Sequence, residues 1–157
     1  MGNRALGSVV RIGLIAGTLD IADSLIFNAF RHITPERIFQ YIASALTGRW
    51  AFGAGLASVL LGAAIHYAIA FFWTAVYWWA SGRAPVLVRR PVVCGFVYGA
   101  VIYLIMNFWV LPRTRLPHAR AAATPAAQIN AVLAMLFCIG VTVAVLMARD
   151  RRAGIRV

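Results

Sequence analysis

Four long apolar segments divide this chain, and they restrict its fold more than any other feature. They cover about residues 9–30, 51–80, 92–111 and 126–148. A helix needs about 20 residues to cross the hydrocarbon core of a bilayer, and the backbone of a spanning segment must satisfy its own hydrogen bonds. The sequence therefore predicts an all-α polytopic membrane protein with four transmembrane helices, residues 1–157 forming a single membrane domain.

Composition agrees with this fold. Hydrophobic residues make up 62% of the 157 residues and charged residues only 12%, too apolar a balance for a soluble domain of this size. The formal net charge is +11, but the arginines lie between the apolar segments, where topology and anionic headgroups explain them. We therefore expect a lipid bilayer as partner and no nucleic acid.

The distribution of arginine predicts an orientation. The N-terminus, the second loop and the C-terminus carry nine arginines, and the first and third loops carry six. Cytoplasmic loops carry the excess of basic residues, so we expect both termini in the cytoplasm. Every basic residue except histidine is arginine, and alanine and glycine are frequent, which is typical of a GC-rich bacterium. The expected location is the bacterial inner membrane.

Small and polar side chains share one side of the first predicted helix: Gly13, Ala16, Gly17, Asp20, Asp23, Ser24 and Asn28. Bulky apolar side chains occupy the other side: Leu14, Ile15, Leu19, Ile21, Leu25, Ile26 and Phe30. Small and polar residues mark the protein-facing side of a membrane helix. A carboxylate near the bilayer centre costs at least ~3 kcal/mol, so Asp20 and Asp23 must be paired, protonated or hydrated.

A short amphipathic helix is predicted at about residues 35–47, between the first two spans. Thr34, Pro35 and Glu36 form a helix start, and Gly48 is a stop signal. The apolar side carries Ile38, Phe39, Tyr41, Ile42, Ala45 and Leu46, with Glu36, Gln40, Ser44 and Thr47 opposite. We expect the helix to lie in the membrane interface. The alternative is a lid over the mouth of the bundle.

Two glycine pairs have the spacing of a helix-packing motif. Gly95 and Gly99 in the third span repeat the GxxxG spacing of Gly13 and Gly17 in the first. This spacing lets helix backbones approach closely, so we expect all four glycines at helix contacts. Its recurrence hints at a duplicated two-helix unit.

Intramembrane polar residues are the candidate site: Asp20, Asp23, His66, Tyr103 and Asn107. Ionisable residues within spans are functional by default, and this set would bind or relay a proton, cation or polar solute. His66 lies at the level of the aspartates only if the last twenty residues of the long second span occupy the bilayer core. The alternative is a structural lock that ties helices together.

Signals for cofactors and metals are weak. His66 is the single histidine within a span, whereas haem ligation between helices commonly needs an axial pair. His32 and His118 share the predicted outer face without a specific metal spacing, and Cys94 and Cys138 lie in apolar runs. The chain lacks HExxH, P-loop, nucleophile-elbow and CxxC motifs. We expect no cofactor and no metal, and nothing favours an enzyme.

Three segments resemble those of small four-helix bacterial inner-membrane proteins of unassigned function: Gly17 to Asp20, Gln40 to Leu46, and Tyr103 to Pro112. The resemblance implies the same fold for most of the chain and adds no activity.

The sequence favours a non-enzymatic accessory or structural subunit, packing through its small-residue helix faces as a homo-oligomer or in a larger membrane complex. The alternative is a small transporter or channel that uses Asp20 and Asp23 with His66. A membrane enzyme or redox carrier is a third, less supported class.

Overall fold

The computed structural model describes residues 3–116 and 124–155, so the predictions that concern His118 and the neighbouring Arg120 lie outside the described residues. Within these two ranges the protein is helical, without strands. Four helices are long and apolar enough to cross a membrane, and we call them the first to fourth spans: Ala5–Ala29, Gly55–Ser81, Pro91–Arg113 and Pro125–Gly154. The prediction of an all-helical chain with four spans is confirmed.

Helix boundaries differ from the prediction at several ends. The helix of the first span is Asn3–Ala29. The helix of the second span begins at Gly55, and a 3-10 turn, Gly48–Phe52, precedes it. Gly48 begins this turn and Gly55 begins the second span, with φ of 65° and 54°, a region that glycine adopts at little steric cost. A short helix, Val86–Arg89, lies in the connection before the third span.

The third and fourth spans each contain a π-helical segment. In the third span, helix Pro91–Leu104 continues into the π segment Ile105–Val110 and a final 3-10 turn, Leu111–Arg113. In the fourth, the π segment Met135–Val141 joins helices Pro125–Ala134 and Thr142–Ile155. The helix therefore continues past the predicted end of the fourth span at residue 148, as far as Ile155.

The first span packs against the second and fourth spans, and the third packs mainly against the fourth. Their shared core consists of eight buried side chains: Ile12, Ala16, Tyr77, Ile102, Ile139, Val143, Ala144 and Met147. Tyr98 donates a hydrogen bond of 2.6 Å to the carbonyl oxygen of Trp73, which connects the third span to the second.

Each glycine pair faces the span that follows it in the chain. Gly13 lies against Phe71, and Gly17 lies against Tyr67, both in the second span. A Cβ at Gly95 would come within 2.9 Å of the carbonyl oxygen of Gly140, and a Cβ at Gly99 would come closer still to the carbonyl oxygen of Met135, also in the fourth span. Gly140, which the sequence analysis did not single out, is thus a third glycine at this contact.

The amphipathic helix is Pro35–Thr47, close to its predicted bounds, and the side chain of Thr34 caps its first turn. It packs on the second span so tightly that a Cβ at Gly62 would overlap the carbonyl group of Phe39. Gln40 and Ser44 are buried, which contradicts their predicted position opposite the buried side.

Side-chain size explains this burial better than polarity. Ala43 and Ser44 of the amphipathic helix are fully buried, as is Ser58 of the second span. Such small side chains allow two helices to approach closely. The buried polar groups bond locally: the Ser44 hydroxyl donates to the Tyr41 carbonyl at 2.7 Å, and Gln40 donates to Glu36 at 3.2 Å. The residues that point outward include apolar Leu46, 58% exposed.

Candidate functional site

A cavity of about 410 Å³ lies between the four spans, and the amphipathic helix covers part of it. All five predicted site residues line this cavity: Asp20, Asp23, His66, Tyr103 and Asn107. Asp20 and Asp23 are three positions apart on one helix, a spacing that places both on the same face. The fold therefore brings together in one cavity polar side chains that are far apart in sequence, from Asp20 to Asn107.

His66 lies at the level of the first aspartate. Its Nε2 atom is 2.8 Å from the carbonyl oxygen of Gly17, and its Nδ1 atom is 4.0 Å from Oδ2 of Asp20. The side chains of His66 and Asp20 are only 11% and 16% exposed. The second span therefore brings His66 beside the Asp20 carboxylate.

This geometry defines which ring nitrogen carries hydrogen. A carbonyl oxygen can only accept, so Nε2 of His66 donates to Gly17 and a neutral imidazole has its lone pair on Nδ1. That lone pair faces the Asp20 carboxylate. The separation of Nδ1 from Oδ2 of Asp20 is within the range of an ion pair and longer than a direct hydrogen bond.

Asp23 has a different partner. Nδ2 of Asn130, in the fourth span, donates a hydrogen bond of 2.8 Å to Oδ2 of Asp23. Nδ2 of Asn107 donates to the carbonyl oxygen of Tyr103 in its own helix at 3.0 Å. Asn130 therefore supports a carboxylate directly, although the sequence analysis had not included it in the site.

Further cavity residues continue the polar side of the first helix. Asn28 and Arg31 line the cavity; Asn28 lies five residues after Asp23, and Arg31 lies two residues beyond the end of the helix at Ala29. The guanidinium of Arg31 lies 5.8 Å from the centre of the Phe27 ring, which also lines the cavity. Helical spacing was the available signal for Asn28, whereas Arg31 follows the helix end.

Tyr41, Ile42 and Ala45 of the amphipathic helix also line the cavity. Partial burial raises the pKa of the Tyr41 phenol above its ordinary value. The backbone N–H of Arg115 donates to the carbonyl oxygen of Ala45 at 2.9 Å. This bond attaches the amphipathic helix to the segment that follows the third span.

The two π segments border the cavity. Met106 and Asn107 lie in the first of them, and Met135 and Ile139 in the second. The hydroxyl of Thr142 donates to the carbonyl oxygen of Phe137 at 3.0 Å, five residues earlier, beside the wider turn. π segments inside α-helices are frequent at functional sites, and the apolar periodicity of these spans did not reveal them.

The chemistry of the lining suits an organic cation. Two carboxylates supply negative charge against the one guanidinium of Arg31, whereas most of the wall is apolar or aromatic, including Phe27 and Trp73. Residues 3–116 and 124–155 contain no group of three or more His, Cys, Asp or Glu side chains arranged to hold a metal ion. Ligand sites commonly combine apolar walls with a few convergent polar groups.

Comparison of the chain with models of protein families, with curated proteins and with solved structures finds no match.

Proposed function

We propose that this multi-pass membrane protein is a small transporter that binds an organic cation in the carboxylate cavity and exchanges it for a proton. The observation that carries the proposal is the convergence of Asp20, Asp23 and His66 on one cavity between the spans. Ionisable side chains inside membrane spans mark ion and proton pathways. The proposed setting is the bacterial inner membrane, with both termini in the cytoplasm as the arginine distribution favours.

The Asp20 and His66 pair provides the proposed exchange. When the pair holds a proton on Asp20, that carboxyl is neutral and attracts a cation weakly. When the proton leaves to water, Asp20 becomes an anion beside Asp23, and a cation in the cavity then neutralises charge that is costly within a membrane. Binding of the cation and release of the proton are coupled because both depend on the same oxygen atoms.

The walls favour an organic cation over a bare metal ion. Ca²⁺ is held by six to eight oxygen ligands, and Mg²⁺ keeps a near-octahedral shell. This cavity offers two carboxylates, while Phe27 and Trp73 present aromatic rings that attract organic ammonium groups. A primary amine that carries a small aromatic ring suits both the carboxylates and the aromatic walls.

The alternative is an accessory or structural subunit that packs through small-residue faces. All four glycines of the two GxxxG motifs lie against spans of the same chain. Homo-oligomerisation would therefore use another surface. A partner that co-purifies at fixed stoichiometry would favour the accessory role.

A binding experiment tests the proposed ligand. Purified protein in detergent is titrated with phenethylamine and with its neutral analogue 2-phenylethanol by isothermal titration calorimetry. We expect the amine to bind at least about tenfold more tightly, since a buried charge-assisted hydrogen bond is worth more than a neutral one. Asp20→Asn and Asp23→Asn should each remove this preference.

The matched control is Glu36→Gln, which changes a carboxylate that lies outside the cavity lining and is exposed. This variant should bind phenethylamine like the unmodified protein. Transport is measured in proteoliposomes as amine uptake driven by an imposed pH gradient. Equal binding of amine and alcohol, or uptake that survives both aspartate substitutions, would overturn the proposal.

A further inference from the structure

A second, larger groove lies at the opposite end of the bundle, where the first helix begins and the fourth span ends. Its volume is about 1300 Å³. It is formed by the start of the first helix, the end of the second span, the connection to the third span and the end of the fourth span. It shares no lining residue with the carboxylate cavity.

The groove is strongly basic. Four arginines line it, Arg11, Arg89, Arg151 and Arg152, and Asp150 is the single carboxylate among its described lining residues. Asp150 is already paired, since one of its oxygens accepts a hydrogen bond from Nη2 of Arg11. Three guanidinium charges in the groove therefore have no carboxylate partner within this lining.

Two of these arginines are held in place by backbone groups. Nη2 of Arg151 donates to the carbonyl oxygen of Trp78 at 2.6 Å, and its Nε donates to the Ser81 hydroxyl at 3.3 Å. Nη2 of Arg152 donates to the carbonyl oxygen of Val88 at 2.7 Å. Carbonyl oxygens orient a guanidinium without neutralising its charge, and its five N–H groups leave further donors for another acceptor.

The position of the groove matches the headgroup level of a membrane. Trp78 lines the groove, and the neighbouring Trp79 is 55% exposed with Arg83 stacked 3.9 Å from its ring centre. Tryptophans with adjacent arginines are typical of the boundary between hydrocarbon and headgroups. A ligand there can keep acyl chains beside the spans while its headgroup enters the groove.

We propose that this groove is a binding site for the phosphodiester headgroup of an anionic phospholipid. Arginine matches phosphate oxygens with paired N–H donors, and basic pockets between membrane helices bind acidic lipid headgroups. The same chemistry would accept free phosphate, but the acyl chains give the lipid additional contact with the exposed apolar surface of the spans.

The test is native mass spectrometry of the whole protein released from detergent, after titration with dioleoyl phosphatidylglycerol or dioleoyl phosphatidylcholine. We expect tighter binding of phosphatidylglycerol. The double variant Arg89→Gln/Arg152→Gln should weaken its binding roughly 30-fold, because each arginine near an anionic lipid surface contributes about fivefold.

Arg49→Gln/Arg113→Gln is the matched control at the other end of the molecule. Arg113, like Arg152, is exposed and donates to a single carbonyl oxygen, that of Trp109 at 2.8 Å. The control should leave phosphatidylglycerol binding unchanged. An equal loss in both double variants, or equal binding of the two lipids, would show a general charge effect and overturn the site.

A third titration, with inorganic phosphate, distinguishes the two sources of the ligand. We expect phosphate to bind far more weakly than phosphatidylglycerol, and strong phosphate binding without lipid binding would overturn the lipid assignment. Thermal unfolding of every variant in detergent accompanies the titrations. A loss of lipid binding at an unchanged melting temperature supports the site.

Discussion

Asn130 in the fourth span donates a hydrogen bond of 2.8 Å to Asp23 in the first span, across 107 positions of sequence. The bond joins the first and last spans beside the cavity, and it provides the Asp23 carboxylate with a donor inside the bundle. It also makes the position of one carboxylate depend on how the fourth span is packed.

We expect a measurable coupling between these two residues. In a double-mutant cycle of Asp23→Leu and Asn130→Leu, the interaction free energy should be about 1–2 kcal/mol, at the upper end for interhelical hydrogen bonds in membranes. The measurement is reversible unfolding in mixed detergent. The control cycle pairs Asp23→Leu with Thr142→Ala, whose hydroxyl bonds within its own span. A coupling no larger than in this control would contradict the bond.

Gly140→Ala should lower the free energy of unfolding by about 1–3 kcal/mol, because the added methyl group would overlap the backbone of the third span at Gly95 and Gly99. Gly7→Ala is the control, since a Cβ there meets no atom within 4 Å. That substitution should stabilise the helix by up to about 1 kcal/mol. Equal effects at the two positions would show that the close contact is absent.

The first span should have one face that water reaches and one that lipid covers. The two variants compared are Ser24→Cys and Ile26→Cys, each in a background with Cys94 and Cys138 replaced by alanine. Ser24 lines the cavity, whereas Ile26 is 62% exposed on the outer side. The cationic thiol reagent 2-aminoethyl methanethiosulfonate should modify cysteine at position 24 faster, because thiolates form in water and not in hydrocarbon. Faster modification at position 26 would place the carboxylate face toward lipid.

The Arg11 and Asp150 ion pair should contribute little to stability. The side chain of Arg11 is 57% exposed, and such pairs contribute less than about 1 kcal/mol. We expect Arg11→Asp to lower the melting temperature modestly, by placing two like charges together, and the exchange Arg11→Asp/Asp150→Arg to restore it. High salt should reduce the difference. Failure of the exchange to restore stability would mean that the charges do not act on each other.

Much of the architecture followed from local pattern. Apolar length predicted four spans, and helical spacing placed Asp20, Asp23 and Asn28 on one side of the first helix. The helix at Pro35–Thr47 followed from its start and stop signals. Each of these depends on neighbours within a few turns, which is why one sequence suffices.

The π segments and the burial of Gln40 could not be predicted in this way. The burial of Gln40 follows from how closely two helices approach, and periodicity within one helix contains no information about the shape of its neighbour. Gln40 and Ser44, on the polar face of the amphipathic helix, are buried where it packs closely on small residues of the second span such as Gly62. Hydrophobicity alone would have turned that face outward.

The spacing of residues along the chain was enough to identify a membrane bundle with acidic groups inside it, since hydrocarbon imposes the same demands on every helix that crosses it. The level of His66, the choice of Asn130 as partner for Asp23 and the gathering of arginines into one groove depended on the packed structure. These are relations between helices far apart in sequence, and they arise only when the register and contacts of all four spans are set together.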